Sequence, residues 1–144
     1  GRDPGLIVLA YGTNEASDPN WPPETYRPMF SQLLERLRQA APAASILVIG
    51  PPDRWYRYRG AWRPYPGVDD IIAAQQEACR ENGAAFWDAR GRMGGKGSMR
   101  DWVYAGLAQG DYVHFTGPGY RRQRRCLHRP WGRRRSRRCR RSRR

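Results

Sequence analysis

Short, continuous apolar runs alternate with longer segments of helical periodicity, and this alternation constrains the fold more than any other feature of the sequence. Apolar runs without polar interruptions are typical of strands that are covered on both faces, as in a parallel sheet. Repeated strand–helix–strand units also imply right-handed crossovers. The sequence therefore predicts an α/β fold with a layered parallel sheet. The predicted strands cover 6–11, 45–49 and 84–88.

Helices and loops of distinct composition separate the predicted strands. The predicted helices cover 24–40, 68–82 and 99–109, and the predicted loops cover 53–67 and 91–97. Gly83 is the expected C-cap of the second helix. In open α/β sheets, ligands bind at the carboxyl ends of the strands. We therefore expect Asn14, Pro51, Pro52 and the loop after Asp88 to lie at the functional edge of the sheet.

The positive charge is concentrated at the end of the sequence. Residues 1–120 contain 13 Lys and Arg and 13 Asp and Glu, whereas residues 121–144 contain 14 Arg and no acidic residue. The net charge of +14 therefore belongs to the second segment. We predict one small domain over 1–120, followed by an Arg-rich tail over 121–144. No apolar stretch is long enough to span a membrane.

Two short motifs contain residues that acyl-transfer chemistry needs. Asp111 precedes His114 by three residues, which can place the carboxylate against one imidazole nitrogen and leave the other nitrogen as a base. Asn14 follows the first predicted strand, where an amide N–H can point at a developing oxyanion. An Asn in such a turn also commonly holds left-handed backbone, and a lone His is often an ordinary polar residue. The motifs alone leave both interpretations open.

Taken together and in order, the motifs resemble those of the SGNH (GDSL-type) hydrolases. The third block of that family, Gly-x-Asn-Asp, corresponds to Gly-Thr-Asn-Glu at 12–15, with Glu in place of Asp. The fifth block, Asp-x-x-His, corresponds to Asp-Tyr-Val-His at 111–114. The longer strings at 10–16, 93–98 and 114–120 are similar to the branch that contains bacterial peptidoglycan O-acetylesterases. The resemblance covers residues 4–120 and implies a flavodoxin-like three-layer fold, incomplete at both ends.

The resemblance assigns a role to each motif residue. It implies that His114 is the general base, that Asp111 orients it and that Asn14 donates to the oxyanion, all three close together at one end of the sheet. Glu15 is expected to shape the turn. The Gly-Asp-Ser block that carries the family's nucleophile does not occur in this sequence. We therefore expect the serine to lie upstream of Gly1 and the chain to be a piece of a longer protein. No cofactor and no metal are expected.

The glycine-rich loop 91–97 invites comparison with a phosphate-binding loop. That motif requires Gly-x-x-x-x-Gly-Lys-Ser/Thr, but here Arg90 occupies the first glycine position and Gly97 follows the lysine. The pattern therefore fails at two positions, and nucleotide binding is not expected.

A role in substrate binding suits this loop better. Gly94, Gly95 and Ser98 are predicted to line the substrate groove, because glycines allow close approach of the backbone. Ser98 does not lie in a Gly-x-Ser-x-Gly elbow and is not expected to be the nucleophile. The aromatic loop 53–67 has two open interpretations, a surface that stacks on sugar rings or a partly ordered surface loop.

The Arg-rich tail 121–144 admits three interpretations. It could bind nucleic acid through its charge, or form a solvated disordered extension. The third interpretation, which we favour, is a reading-frame shift in a GC-rich gene, because the apolar periodicity ends at Tyr120 where the resembled family has an amphipathic helix. All three predict that no packed helix follows Tyr120.

Two functions are therefore considered. The first is a serine esterase that removes O-acetyl groups from a peptidoglycan-type polysaccharide in the periplasm or outside the cell. The second is an inactive α/β domain that binds nucleic acid or another polyanion, with nucleic acid contacted only through the tail 121–144. The sequence leaves the acyl group, the sugar and the oligomeric state undetermined.

Overall fold

A computed structural model of the chain describes residues 3–18 and 22–127. The strands are β1 Leu6–Ala10, β2 Ser45–Ile49, β3 Trp55–Tyr58, β4 Ala61–Pro64 and β5 Ala85–Trp87. The helices are α1 Pro23–Ala40, α2 Gly67–Glu81, α3 Ala89–Met93, α4 Ser98–Tyr104 and α5 Gly117–Leu127, with a 3-10 turn at Glu15–Ser17. The chain divides into two compact units. The first comprises Gly1–Pro51 and Pro66–Asp88, and the second comprises Pro52–Tyr65 and Ala89–Arg144.

The first unit contains the predicted parallel sheet. Its strand order is β1-β2-β5, with β2 in the centre and both pairings parallel. Helices α1 and α2 pack against each other. Fully buried side chains from these elements include Leu34, Val48 and Val68. The α/β class, the three strands and the first two helices predicted from hydrophobic periodicity are therefore confirmed, and Gly83 follows α2 with a φ of 61°.

Strand β1 differs from the sequence-based expectation. Its apolar run predicts a strand covered on both faces, but Leu6 and Val8 are 55% and 49% exposed. Leu6 pairs with Ser45 and Val8 with Leu47, so both side chains lie on one face of the sheet, and within the described residues that face of β1 is left largely uncovered. Alternate residues of the strand therefore face away from the core. The expectation of full burial is wrong for β1 as the structure describes it.

The predicted loop 53–67 contains a β-hairpin formed by β3 and β4. Arg59 and Gly60 connect the strands with φ values of 48° and 81°. Positive φ at both central residues is typical of the two-residue turns whose twist suits a hairpin. The usual Asn-Gly or Asp-Gly signature is absent, so the sequence alone does not predict this turn. The predicted glycine loop is also shorter than expected, because α3 extends to Met93.

The second unit has its own small core. Helix α4 ends at Tyr104, five residues earlier than the predicted helix 99–109, because the chain turns there to pair Ala108 with Phe115. Both residues then face the core. Its buried members are Met93, Met99, Trp102 and Ala108, against which Trp55, Val103, Leu107, Tyr112 and Phe115 pack.

Helix α5 contradicts the expectation that no packed helix follows Tyr120. It runs from Gly117 to Leu127, and Cys126 in its last turn is buried. The Thr116 hydroxyl accepts a hydrogen bond from the N–H of Gly119 and so caps the helix start. The arginines that replace the expected apolar residues have good helix propensity and leave the helix intact. The part of the predicted tail beyond Leu127 lies outside the described residues.

Replacing Gly119 by Ala is expected to destabilise the second unit. A Cβ at this position would overlap the backbone carbonyl oxygen of Leu107, which cannot rotate away as a side chain does. Overpacking of this kind costs about 1–3 kcal/mol. Urea denaturation of both variants measures the change, with Gly117→Ala as the matched control in the same helix. At Gly117 the nearest atom is the mobile Arg121 Nη1 at 3.4 Å, so a loss as large as that of Gly119→Ala would contradict the prediction.

Among the described residues, none of the helices combines the length and the apolar character needed to cross a membrane.

Candidate active site

Asp111 and His114 form a close pair on a tight turn in the second unit. The imidazole Nδ1 of His114 lies 2.7 Å from Asp111 Oδ2. The other carboxylate oxygen, Oδ1, accepts hydrogen bonds from the backbone N–H of Val113 at 2.9 Å and of His114 at 3.0 Å. One carboxylate therefore both closes the turn and holds the imidazole ring.

The environment of Asp111 favours its charged form. Partial desolvation acts to raise its pKa, but the hydrogen bonds from the His114 ring and from the backbone N–H of His114 and Val113 outweigh it. The pKa of Asp111 is therefore lower than its ordinary value. A carboxylate facing Nδ1 favours the tautomer in which Nδ1 carries the proton, which leaves the Nε2 lone pair free to act as a base. The side chain of His114 is 66% exposed.

Backbone pairing fixes where this turn begins and ends. The N–H of Gln109 donates to the carbonyl of His114 at 2.8 Å, and Tyr112 N–H donates to the Gln109 carbonyl at 3.1 Å. The adjacent bridge between Ala108 and Phe115 anchors both ends of the turn in the core of the second unit. The exposed His114 is therefore anchored to the buried core of the second unit.

Asn14 lies in a second turn, in the first unit, directly after β1. Gly12 adopts a φ of 110°, and its N–H donates to Glu15 Oε2 at 3.0 Å. The Ser17 hydroxyl donates to the Asn14 carbonyl at 2.9 Å, and the Asn14 side chain is exposed. Glu15 therefore shapes the turn, as the sequence analysis expected for this replacement of the family's Asp.

Gln75 supports this turn from α2, a feature that the sequence analysis missed. It is completely buried, and its Nε2 donates to the Tyr11 carbonyl at 3.2 Å and to the Tyr26 hydroxyl at 2.8 Å. Burial raises the pKa of Tyr26, which keeps its hydroxyl protonated. A Cβ on Gly12 would lie 3.0 Å from Gln75 Nε2, so the glycine allows the turn to rest directly on this amide. The available clue was a polar residue at an apolar position of α2.

Asp53 is a second buried polar residue whose role was not predicted from the sequence. It is 1% exposed, and its Oδ2 accepts hydrogen bonds from the Met99 N–H at 2.9 Å and from the Trp55 indole at 3.1 Å. Burial raises the pKa of Asp53, while these donors act to lower it. The carboxylate therefore joins the β3–β4 hairpin to the start of α4.

The predicted groove residues precede and begin α4. Gly94 and Gly95 have φ values of 129° and 91°, which L side chains rarely adopt, so this backbone path needs glycine. Ser98 is buried, and its hydroxyl has no hydrogen-bond partner in the described part of the chain. Whether these residues bind substrate remains a prediction.

The structure thus brings Asp111 and His114 into contact and places both, with the loop at 94–98, in the second unit. Asn14 belongs to the first unit, and its predicted position beside His114 remains a prediction. Within 3–18 and 22–127, no three His, Cys, Asp or Glu side chains form a group that could hold a metal ion.

Comparison with known proteins defines the class. Residues 1–122 match the model of the GDSL-like lipase/acylhydrolase family. Because the match covers most of the sequence, the chain belongs to this family.

Two solved structures are similar to the chain. One is a peptidoglycan O-acetylesterase, with 31% sequence identity, a TM-score of 0.80 and coverage of 85% of this chain. The other is a lipase/acylhydrolase from Enterococcus faecalis, with 21% identity, a TM-score of 0.56 and 82% coverage, which supports the fold alone. The chain spans 35% of the length of the first and 56% of the second. No curated protein matches it.

Proposed function

We propose that this chain is part of a serine esterase that removes O-acetyl groups from a peptidoglycan-type polysaccharide outside the cytoplasm. The observation that supports this most directly is the 2.7 Å contact between Asp111 and His114. In a member of an acylhydrolase family, an exposed imidazole oriented by a carboxylate is suited to activating a hydroxyl nucleophile.

The proposed reaction uses His114 first as a base and then as an acid. Nε2 takes the proton of a serine hydroxyl while the serine oxygen attacks the acetyl carbonyl carbon. The negative charge then develops on the carbonyl oxygen, where the N–H of Asn14 is proposed to donate. As the tetrahedral intermediate collapses, the C–O bond to the sugar breaks, and the imidazolium returns its proton to the departing sugar oxygen. Water hydrolyses the acetyl-serine by the same two steps and releases acetate.

The nucleophile is proposed to lie outside these 144 residues. No Gly-Asp-Ser block occurs in the sequence. Ser98 belongs to the second unit with His114, but its side chain is buried and no hydrogen bond connects the two within the described residues. A segment of a longer protein is therefore proposed to supply the serine, which completes a Ser-His-Asp triad.

The polysaccharide substrate and its location are proposed from the 31% identical peptidoglycan O-acetylesterase. Gly94, Gly95 and Ser98 are proposed to line the groove that receives the sugar. The two exposed aromatic rings of the hairpin, Tyr58 and Trp62, offer stacking surfaces of the kind that sugar rings use.

Acetyl-ester hydrolysis by the 144-residue chain and by the longer protein tests the proposal. We expect negligible turnover by the chain alone, because a base and an oxyanion donor without the nucleophile retain little catalysis. The longer protein should hydrolyse both a chromogenic acetyl ester and O-acetylated glycan, and should lose this activity when the serine of its Gly-Asp-Ser block is replaced by Ala.

Ser98→Ala, with the exposed Ser45→Ala as control, tests the competing nucleophile. Neither substitution should abolish acetyl-ester hydrolysis by the longer protein. Enzyme-like turnover by the 144-residue chain that Ser98→Ala abolishes would make Ser98 the nucleophile and overturn the proposal of an outside serine.

A further inference from the structure

We propose that Tyr112 is a positioning residue, clamped by the β3–β4 hairpin so that the turn around it holds His114 in one tautomer. The inference rests on the proposed function in that the Asp111–His114 pair is taken as catalytic. Tyr112 lies between these two residues in the sequence and contacts the hairpin within the same unit.

The backbone of Tyr112 has an unusual conformation. Its φ is 60°, in the left-handed region that bulky residues rarely occupy. Such a conformation persists only where the surrounding structure enforces it, and it is often found at functional sites. Arg59, the other described non-glycine residue with positive φ, lies in the exposed hairpin turn and has a local explanation.

The hairpin supplies the contacts that enforce this conformation. The Tyr112 ring stacks on Trp62 with a centroid distance of 4.5 Å and an interplanar angle of 25°. Its centroid is 5.6 Å from that of Trp55. The backbone N–H of Trp55 also donates to the Tyr112 carbonyl at 3.0 Å. Both the ring and the peptide group of Tyr112 are therefore held by the hairpin.

The left-handed residue allows the Asp111 carboxylate to face the residues that follow it. The chain reverses at Tyr112, so that Oδ1 receives the N–H groups of Val113 and His114 while Oδ2 meets the ring. An extended conformation at Tyr112 would turn these donors away from the carboxylate. The Nδ1–H tautomer of His114 thus depends on the stacking of Tyr112.

Trp55 extends this arrangement to the loop before α4. Its indole N–H donates to Asp53 Oδ2, and this oxygen also accepts the Met99 N–H. The hairpin therefore holds the His114 turn through the backbone N–H of Trp55. It holds the start of α4 through the Trp55 indole and Asp53.

The neutral tautomer of His114 tests this inference directly. His114 and His128 are the two histidines of the chain, so a His128→Gln background makes His114 the single imidazole. Long-range proton–nitrogen NMR correlation of the ¹⁵N-labelled chain distinguishes Nδ1–H from Nε2–H. In the parent we expect the Nδ1–H form to predominate. In Trp62→Ala the ratio of Nδ1–H to Nε2–H should fall about tenfold, the effect of losing one charge-assisted hydrogen bond.

Matched variants separate positioning from general damage to the hairpin. Trp62→Phe keeps an aromatic ring against Tyr112 and should restore the parent ratio. Tyr58→Ala removes a ring of the same hairpin that contacts Tyr56 in a tilted arrangement instead, and should leave the ratio unchanged. Tyr112→Ala removes the clamped ring and, unlike glycine, does not favour the left-handed backbone, so it should show the same fall as Trp62→Ala.

A parent-like tautomer ratio in either Trp62→Ala or Tyr112→Ala would overturn the inference, because the turn would then keep its conformation without the stacked ring. An equal fall in Tyr58→Ala would overturn it as well, since any change in the hairpin would suffice. The readout needs no turnover and is independent of the proposed function. Absence of esterase activity in the longer protein would refute that function and leave the tautomer result standing.

Discussion

Replacing His114 by Ala in the longer, nucleophile-containing protein is expected to lower kcat by on the order of 10⁶-fold, the largest effect that we predict. Without the imidazole, no group takes the serine proton or returns it to the leaving sugar oxygen. Asp111→Asn should lower kcat by roughly 10⁴-fold, because an amide at this position favours the wrong tautomer. Steady-state hydrolysis of an acetyl ester measures both effects.

His128→Ala is the control for His114→Ala, since it removes the other histidine of the chain. It should leave kcat within about twofold of the parent, as expected for a residue without a part in proton transfer. Retention of more than about 1% of the parent kcat in His114→Ala would show that another base acts, because general bases contribute at least 10²-fold.

Asn14→Ala is expected to lower kcat of the longer protein by roughly 10²–10³-fold, the usual loss for one oxyanion donor. Because the oxyanion exists only in the transition state, KM should change little. Glu15→Gln serves as the control from the same turn. Its amide oxygen can still accept the Gly12 N–H, which preserves the turn that Glu15 shapes.

The two variants also separate the oxyanion role from an ordinary turn role. A kcat of Asn14→Ala within twofold of the parent would mean that Asn14 only holds the turn. A loss in Glu15→Gln equal to that of Asn14→Ala would mean that turn geometry accounts for the effect. In both cases the oxyanion assignment would be wrong.

Elements whose geometry depends on nearby residues were predictable from the sequence, except the β3–β4 hairpin, whose turn lacks the usual Asn-Gly or Asp-Gly signature. The central strand β2 was predicted with its observed bounds, because the run Ile46–Ile49 is apolar and breakers flank the strand on both sides. Helix α1 differs from its predicted bounds by one residue at its start, and α2 by one residue at each end, since their apolar spacing is regular. The contact of Asp111 with His114 was predictable for the same reason, as three residues of chain already bring the side chains within reach.

Errors arose where packing between distant segments decides the outcome. Leu6 and Val8 have the pattern of a fully buried strand, but the face of β1 on which they lie is left largely uncovered within the described residues. Helix α5 lacks the expected apolar stripe, yet Thr116 caps its start and its Gly119 fits against Leu107. Neither result follows from hydrophobic periodicity, because each depends on how neighbouring elements pack against the segment.

By itself, the sequence determined the α/β class, the order of the elements and the local pairing of Asp111 with His114, because these follow from periodicity, turn chemistry and short spacing. The tertiary structure decided which buried groups support the turns. Gln75 lies 64 residues from Tyr11, and Asp53 lies 46 residues from Met99, in hydrogen bonds that only folding creates. It also decided the left-handed backbone of Tyr112, since the aromatic rings that hold this conformation come from a hairpin about fifty residues earlier.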